Sequence, residues 1–86
     1  MTRYIGILDG SNNVWGVRVP DLPGCHGGGV SPEQAIADAA FAVCEWTEAR
    51  IAKHLPVPKP RALVDLLRSG EIDSASGDSA VIVRQG

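Results

Sequence analysis

One uninterrupted stretch, from Ser31-Pro32-Glu33-Gln34 to the proline series Pro56, Pro58 and Pro60, constrains this chain more than any other feature. Ser31 is a capping residue, Pro32 suits the first helical turn, and Gln34 stands where a capping box needs it. The prolines at the other end lack amide hydrogens and hold their predecessors extended, so no helix passes them. A helix of about 24 residues, Pro32 to about Leu55, is therefore expected, roughly 36 Å long at 1.5 Å per residue. Ile36, Ala39, Ala40, Val43, Cys44, Thr47 and Ile51 recur at helical spacing and make its buried stripe. Everything else in an 86-residue chain must pack against this rod, which leaves room for one core and one domain.

The flanking segments read as strands. Residues 4–8 and 14–19 are short apolar or β-branched runs separated by Asp9-Gly10-Ser11-Asn12-Asn13, a cluster suited to the turn of an antiparallel hairpin. In the second run Trp15, Val17 and Val19 alternate with Val14, Gly16 and Arg18, which puts the indole and two valines on the face that meets the helix. Pro20-Asp21-Leu22-Pro23-Gly24 stops the hairpin and reverses the chain. Cys25 to Val30, with three successive glycines, then supplies a short third strand. After the prolines, Leu63, Val64, Leu66 and Leu67 suggest a short amphipathic helix closed at Ser69-Gly70. Residues 73–79 form a polar loop, and Ala80 to Val83 a last strand. The expected fold is α+β, a small antiparallel-type sheet in the order β-β-β-α-(α)-β with the helices on one face.

Composition narrows the function. Two cysteines, Cys25 and Cys44, are too few for a disulfide framework and fit reduced thiols in a cytoplasm. No segment has the roughly 20 consecutive apolar residues of a membrane span, and the amino terminus lacks a signal-peptide layout. A net charge of -2 argues against a domain that coats nucleic acid. The charge is uneven: up to residue 49, Arg3 and Arg18 stand against six carboxylates, a balance of -4, whereas from Arg50 onward six basic residues against four acidic ones give +2. The acidic front half could face a basic partner, although solvated faces of unlike sign, with no partner implied, are the more ordinary explanation.

Candidate chemistry is sparse. Cys25, His26, Cys44 and His54 do not have zinc spacing, and neighbours in a strand point to opposite faces, so no metal or cofactor is expected. Cys25 beside His26 lacks the third group that would orient a thiol nucleophile. Asp9, Asp21 and Asp38 could in principle hold metal for hydrolysis, but the first two read as turn residues and the third as part of a solvated helix face. The Gly24 and Gly27–Gly29 glycines match neither a P-loop nor a dinucleotide fingerprint. A binding protein, not an enzyme, is the reading that remains.

The segment Val19-Pro20-Asp21-Leu22-Pro23-Gly24-Cys25, set after a hairpin and before Gly29-Val30-Ser31-Pro32-Glu33-Gln34-Ala35 at a helix start, resembles the HicB family of bacterial antitoxins. The likeness covers about residues 3–60 well. It implies a partial ribonuclease-H-like fold without catalytic carboxylates, a HicA-type messenger-RNA-cleaving toxin as partner, neutralisation by masking the toxin's active site, and a homodimer or higher homo-oligomer in the cytoplasm. The resemblance also leaves a second role, a solitary HicB-like regulatory or scaffold domain without a toxin. Many members carry a further carboxy-terminal DNA-binding domain. This sequence is expected to be a single domain over 1–86 without one, so direct DNA binding is not expected. His26-Gly27-Gly28-Gly29 stands where the family more usually has a polar, threonine-bearing stretch, which points to a different partner specificity. The partner-binding candidates are Asp21, Leu22, Pro23, Gly24, Cys25 and His26, with Trp46 as a second surface, since tryptophan is enriched among interface anchors.

Overall fold

The structure, a computed structural model, describes residues 2–84, with Ser74 by its backbone only. Strands β1 (Arg3–Ser11), β2 (Val14–Arg18) and β3 (His26–Gly29) precede helix α1 (Pro32–Ala52); helix α2 (Leu63–Arg68), a single 3-10 turn at Ser74–Ser76 and strand β4 (Ser79–Arg84) complete the chain. The strands form one sheet in the order β3-β2-β1-β4, antiparallel throughout. This is the α+β architecture expected, with the predicted strand order and helix count.

Register follows the alternation of the sequence. Leu8 pairs with Val17, Gly6 with Val81 and Tyr4 with Val83, so these share a face. Tyr4, Val17, Val19, Leu22, Cys25 and Val83 form the main core with Ala35, Ala39 and Val43 of α1, and Trp15 packs at its margin. The buried line of α1 is Ala35, Ala39, Val43 and Thr47, rotated slightly from the predicted stripe: Ile51 is 59% exposed. Small side chains on that line let α1 come down on the glycine strand. A Cβ on Gly27 would lie 2.3 Å from the Ala39 nitrogen, so the helix and β3 touch backbone to backbone only because residue 27 is glycine.

The helix ends differ in detail from expectation. Ser31 Oγ accepts from the Gln34 amide at 3.2 Å, but Gln34 Oε1 accepts from Val30 N–H rather than from the cap residue's own amide, so the capping box closes one residue upstream. At the other end α1 stops at Ala52, three residues before the predicted boundary, in a Schellman turn. His54 takes φ 56°, its amide donates to Ile51, and Leu55 N–H donates to Arg50 C=O.

The two helices divide the sheet between them instead of sharing one face. Leu66 of α2 is buried with Ile7 and Ile72, and Ile7 lies on the pleat opposite to Tyr4 and Leu8. The proline segment carries the chain there. It passes the end of the sheet, where the Tyr4 hydroxyl donates to Pro58 C=O at 2.7 Å.

Candidate protein-binding turn

The link between β2 and β3 consists of two consecutive β-turns. Leu22 N–H donates to Val19 C=O at 3.1 Å and Cys25 N–H to Leu22 C=O at 2.9 Å, while Val19 N–H and Cys25 C=O close the base at 3.0 Å. Proline stands second in each turn, and Gly24, third in the second turn, has φ 81°, the type II signature that glycine accommodates without strain. The sequence dictates this geometry locally, and side chains then fix it. Val19, Leu22 and Cys25 are buried in the main core.

Asp21 is held from below. Its side chain is 4% exposed; its carboxylate accepts the Arg61 backbone amide at 2.8 Å and pairs with Arg61 Nε. Arg61 also clasps Glu71 through Nη1 and Nη2 at 2.7 and 3.0 Å, and Ser69 Oγ donates to Glu71 as well. The bidentate guanidinium, with the Ser69 hydroxyl, holds the Glu71 carboxyl down at about 2, and the same carboxylates push the Arg61 guanidinium up. Burial, with Asp21 nearby, raises the Tyr4 phenol, and burial alone raises the Cys25 thiol, away from the thiolate a nucleophile needs.

The structure thus sorts the predicted residues into two sets. Asp21, Leu22 and Cys25 anchor the turn with buried side chains, whereas Pro23, Gly24 and His26 stand exposed at its crest. Trp46, half-buried against the main core, flanks the crest from α1: its Nε1–H donates to Pro23 C=O at 3.0 Å, and the Arg50 guanidinium lies 4.9 Å from the indole centre. The turn is a ridge between two hollows. One, of about 440 Å³, is lined on its far side by Ile7, Arg18 and Glu71; the other, about 380 Å³, by Ala42, Glu45 and Trp46. Next to the second, one helical turn before Glu45, Phe41 is 67% exposed. Sequence reasoning did not single out Phe41, although its position off the buried stripe was a usable signal. Arg61 and Glu71 gave no local signal, because their role depends on a contact 40 residues away in sequence.

The remaining candidates are scattered. Asp38 accepts from the Gly28 amide at 2.9 Å, and Asp9 and Asp38 border a shallow hollow that excludes Asp21. Among the described residues no group of three His, Cys, Asp or Glu side chains could hold a metal ion, Cys25 and Cys44 are not joined by a disulfide, and no helix is long and apolar enough to cross a membrane.

Comparison with known proteins bears on what this turn serves. The family model described as a HicB-like antitoxin of a bacterial toxin-antitoxin system matches residues 4–81. The chain belongs to this family. Among solved structures, the N-terminal domain of the Burkholderia pseudomallei antitoxin HicB is similar with a TM-score of 0.80 at 23% identity, covering 99% of each chain. A structure of the HicA3 and HicB3 toxin-antitoxin complex contains a chain with TM-score 0.77 at 17% identity, again 99% of each. The longer B. pseudomallei HicB matches with TM-score 0.74 at 25% identity over all of this chain and 63% of that one. No curated protein sequence matches. The residues matched to the family include the whole of the ridge described above.

Proposed function

We propose that this chain is the antitoxin of a toxin-antitoxin pair and that it neutralises a HicA-type, messenger-RNA-cleaving toxin in the cytoplasm by binding it and covering its active site. Membership of the antitoxin family supports the role, and a structural neighbour is described as part of a HicA3 and HicB3 complex. The single observation that carries the surface is the anchored ridge. Pro23, Gly24 and His26 are exposed on a backbone that three hydrogen bonds and three buried side chains fix before any partner arrives. Preorganisation of that kind lowers the ordering cost of association. Beside it, Phe41 and Trp46 supply aromatic area, and the exposed Glu45 and Glu48 supply negative charge suited to a basic, RNA-binding partner. Asp21 acts on the partner through the turn it holds.

The test is co-expression with the small basic protein encoded beside it, followed by co-purification and a growth-rescue assay. A stable complex that relieves growth arrest is expected, and Phe41→Ala together with Trp46→Ala should weaken it at least tenfold, the loss typical of aromatic anchors. A toxic neighbour that neither binds nor is relieved, or the lack of a toxic neighbour, would replace this reading with that of a solitary regulatory domain.

A further inference from the structure

The crested turn separates two hollows of unlike chemistry. On the α1 side the exposed Glu45 stands beside Trp46. On the other side Pro20 and Pro23 wall a hollow of about 440 Å³ whose floor is Ile7, Val19 and Cys25, none more than 4% exposed. Those three belong to the two hydrophobic cores, so the hollow is formed before anything enters it.

Its rim is polar, and the bonds already made there decide what it can take. Glu71 is occupied on both carboxylate oxygens by Arg61, with Ser69 Oγ donating to one of them as well. Asp78 is nearly buried and accepts from Arg18 Nη2 and from the Asp73 amide. Arg18 itself has capacity left. Its Nη2 serves Asp78 and the Glu71 carbonyl, but its side chain is 50% exposed and, among the described residues, Nε and Nη1 have no acceptor. His26 lies directly opposite Arg18 in the β2–β3 ladder. The bond from Val19 N–H to Cys25 C=O makes the next pair, Arg18 and His26, a non-hydrogen-bonded one, in which side chains on one face stand closest. The His26 imidazole is exposed and also without a bond among the described residues; Asp9 and Asp38, which border the shallow hollow beyond it, do not take it. It is the sole side chain of β3, whose other residues are glycine, so nothing on that strand crowds an incoming group. An imidazole carries at least one N–H in either protonation state. The unspent polar groups of this hollow are therefore donors, supplied by two neighbouring residues beside an apolar floor.

We propose that this hollow receives one acidic segment of the protein partner: an apolar side chain seated between Pro20 and Pro23, and an adjoining carboxylate held by Arg18 and His26. The inference rests on the antitoxin reading and deepens it, because it fixes how the partner lies across the ridge. The partner's basic surface meets the Glu45 slope and its carboxylate the opposite one. Charge-assisted donors favour a carboxylate over a neutral acceptor. Turned end for end, the same partner would bring its carboxylate to Glu45, a like-charge contact that rejects the reversed pose. A protein segment also suits the space better than a free small molecule. The hollow is open along the crest, whereas small-molecule sites enclose most of their ligand; a side chain carried by a folded partner needs no such enclosure.

Two measurements on the intact chain test this. In the first, 4-phenylbutyrate, an apolar body with one carboxylate, is titrated into the isotopically labelled protein and followed by nuclear magnetic resonance. Weak binding is expected, with shifts at residues 18–26 and Glu71 and none at Phe41, and the uncharged 4-phenylbutanamide should bind about tenfold more weakly. His26→Ala, which breaks no side-chain bond of the fold, should remove most of that preference. No binding, or equal binding of acid and amide, overturns the proposal and leaves the antitoxin reading untouched. In the second, the complex with the small basic protein encoded beside this chain is measured. His26→Ala should weaken it about tenfold while the urea midpoint of the free chain holds. Replacing the partner's Asp and Glu residues singly by their amides should find one whose loss costs nothing further once His26 is alanine, a coupling that a merely structural residue does not show. A complex indifferent to His26→Ala, or one in which no partner carboxylate couples to it, overturns the proposal although the antitoxin reading stands. A complex that leaves the hollow open to 4-phenylbutyrate assigns the site to a free carboxylate ligand and overturns this occupant. A neighbour that forms no complex sinks the antitoxin reading itself, and the occupant with it.

Discussion

Helix α1 and helix α2 lie on opposite faces of one sheet and are held by opposite means. The first puts four small or β-branched residues, Ala35, Ala39, Val43 and Thr47, down a buried line that meets the glycine strand β3 backbone to backbone and the rest of the sheet through a shared core, and is capped at both ends. The second buries only Leu66, has no side-chain cap at its start, and depends on the Arg61 clasp of Asp21 and Glu71 beside it. Close packing over a continuous core resists local opening, whereas six residues with one buried leucine do not form a helix on their own account. The difference implies a stable frame of β1–β3 and α1 and a looser layer over residues 61–72. The crested turn belongs to the frame through Leu22 and Cys25 and to the layer through Asp21.

Breaking the first side should have the largest effect. Gly27→Ala puts a methyl against the Ala39 backbone, which no rotamer relieves, so α1 must lift from β3; a loss of about 4 kcal/mol, the upper range for a disrupted core, is expected in urea unfolding. Breaking the second side should cost somewhat less and act locally. Leu66→Ala leaves a void beside Ile7 and Ile72, with a loss of about 3 kcal/mol. Its signature is faster amide exchange over residues 63–72 while the α1 amides slow-exchange as before. Uniform acceleration of both helices would mean that frame and layer unfold as one unit, and the contrast drawn above would fail.

Asp21→Ala sharpens the comparison because that residue touches both parts. It strands the Arg61 amide, which should cost about 2 kcal/mol, the usual toll of a buried donor without its acceptor. Partner affinity should fall too, since the crest loses its support from below. If affinity is unchanged while stability drops, the backbone bonds of the turn, the buried Val19, Leu22 and Cys25 and the Trp46 bond hold the crest without Asp21.

How much of this was legible in the sequence depends on how local each cause is. The hairpin, the proline-glycine turn, the helix start and the last strand follow from residues adjacent in the chain, and all are present. The family resemblance rested on the same local series. Assigning Asp21, Leu22 and Cys25 to anchoring and Pro23, Gly24 and His26 to exposure needed the third dimension, because alternate residues of a doubled turn do not obey a simple period. Arg61 was invisible for a different reason: a lone arginine after a proline reads as solvated until Asp21 is placed beneath it. The early end of α1 turns on His54 adopting a left-handed backbone, a state any local reading assigns to glycine first. His54→Gly should therefore stabilise the frame by about 0.7 kcal/mol, measured as a higher urea midpoint at constant slope.

The smallest expected effect concerns acid. Glu71 ionises at about 2 in the folded chain against an ordinary 4.5, so its pairing with Arg61 contributes stability that is complete above pH 4.5 and is lost as pH falls toward 2. The sign follows from proton uptake: below 4.5 the unfolded chain binds a proton that the folded chain still refuses, and each further drop in pH favours unfolding. The carboxylate is 37% exposed, so water screens the pair and the slope it adds is modest. Glu71→Gln removes the titration but keeps a hydrogen-bonding side chain, and its stability should decline less steeply than that of the parent between pH 4.5 and 2. If the two curves run parallel there, Arg61 is held by Asp21 alone, and the looser layer is tied to the crested turn by one carboxylate instead of two.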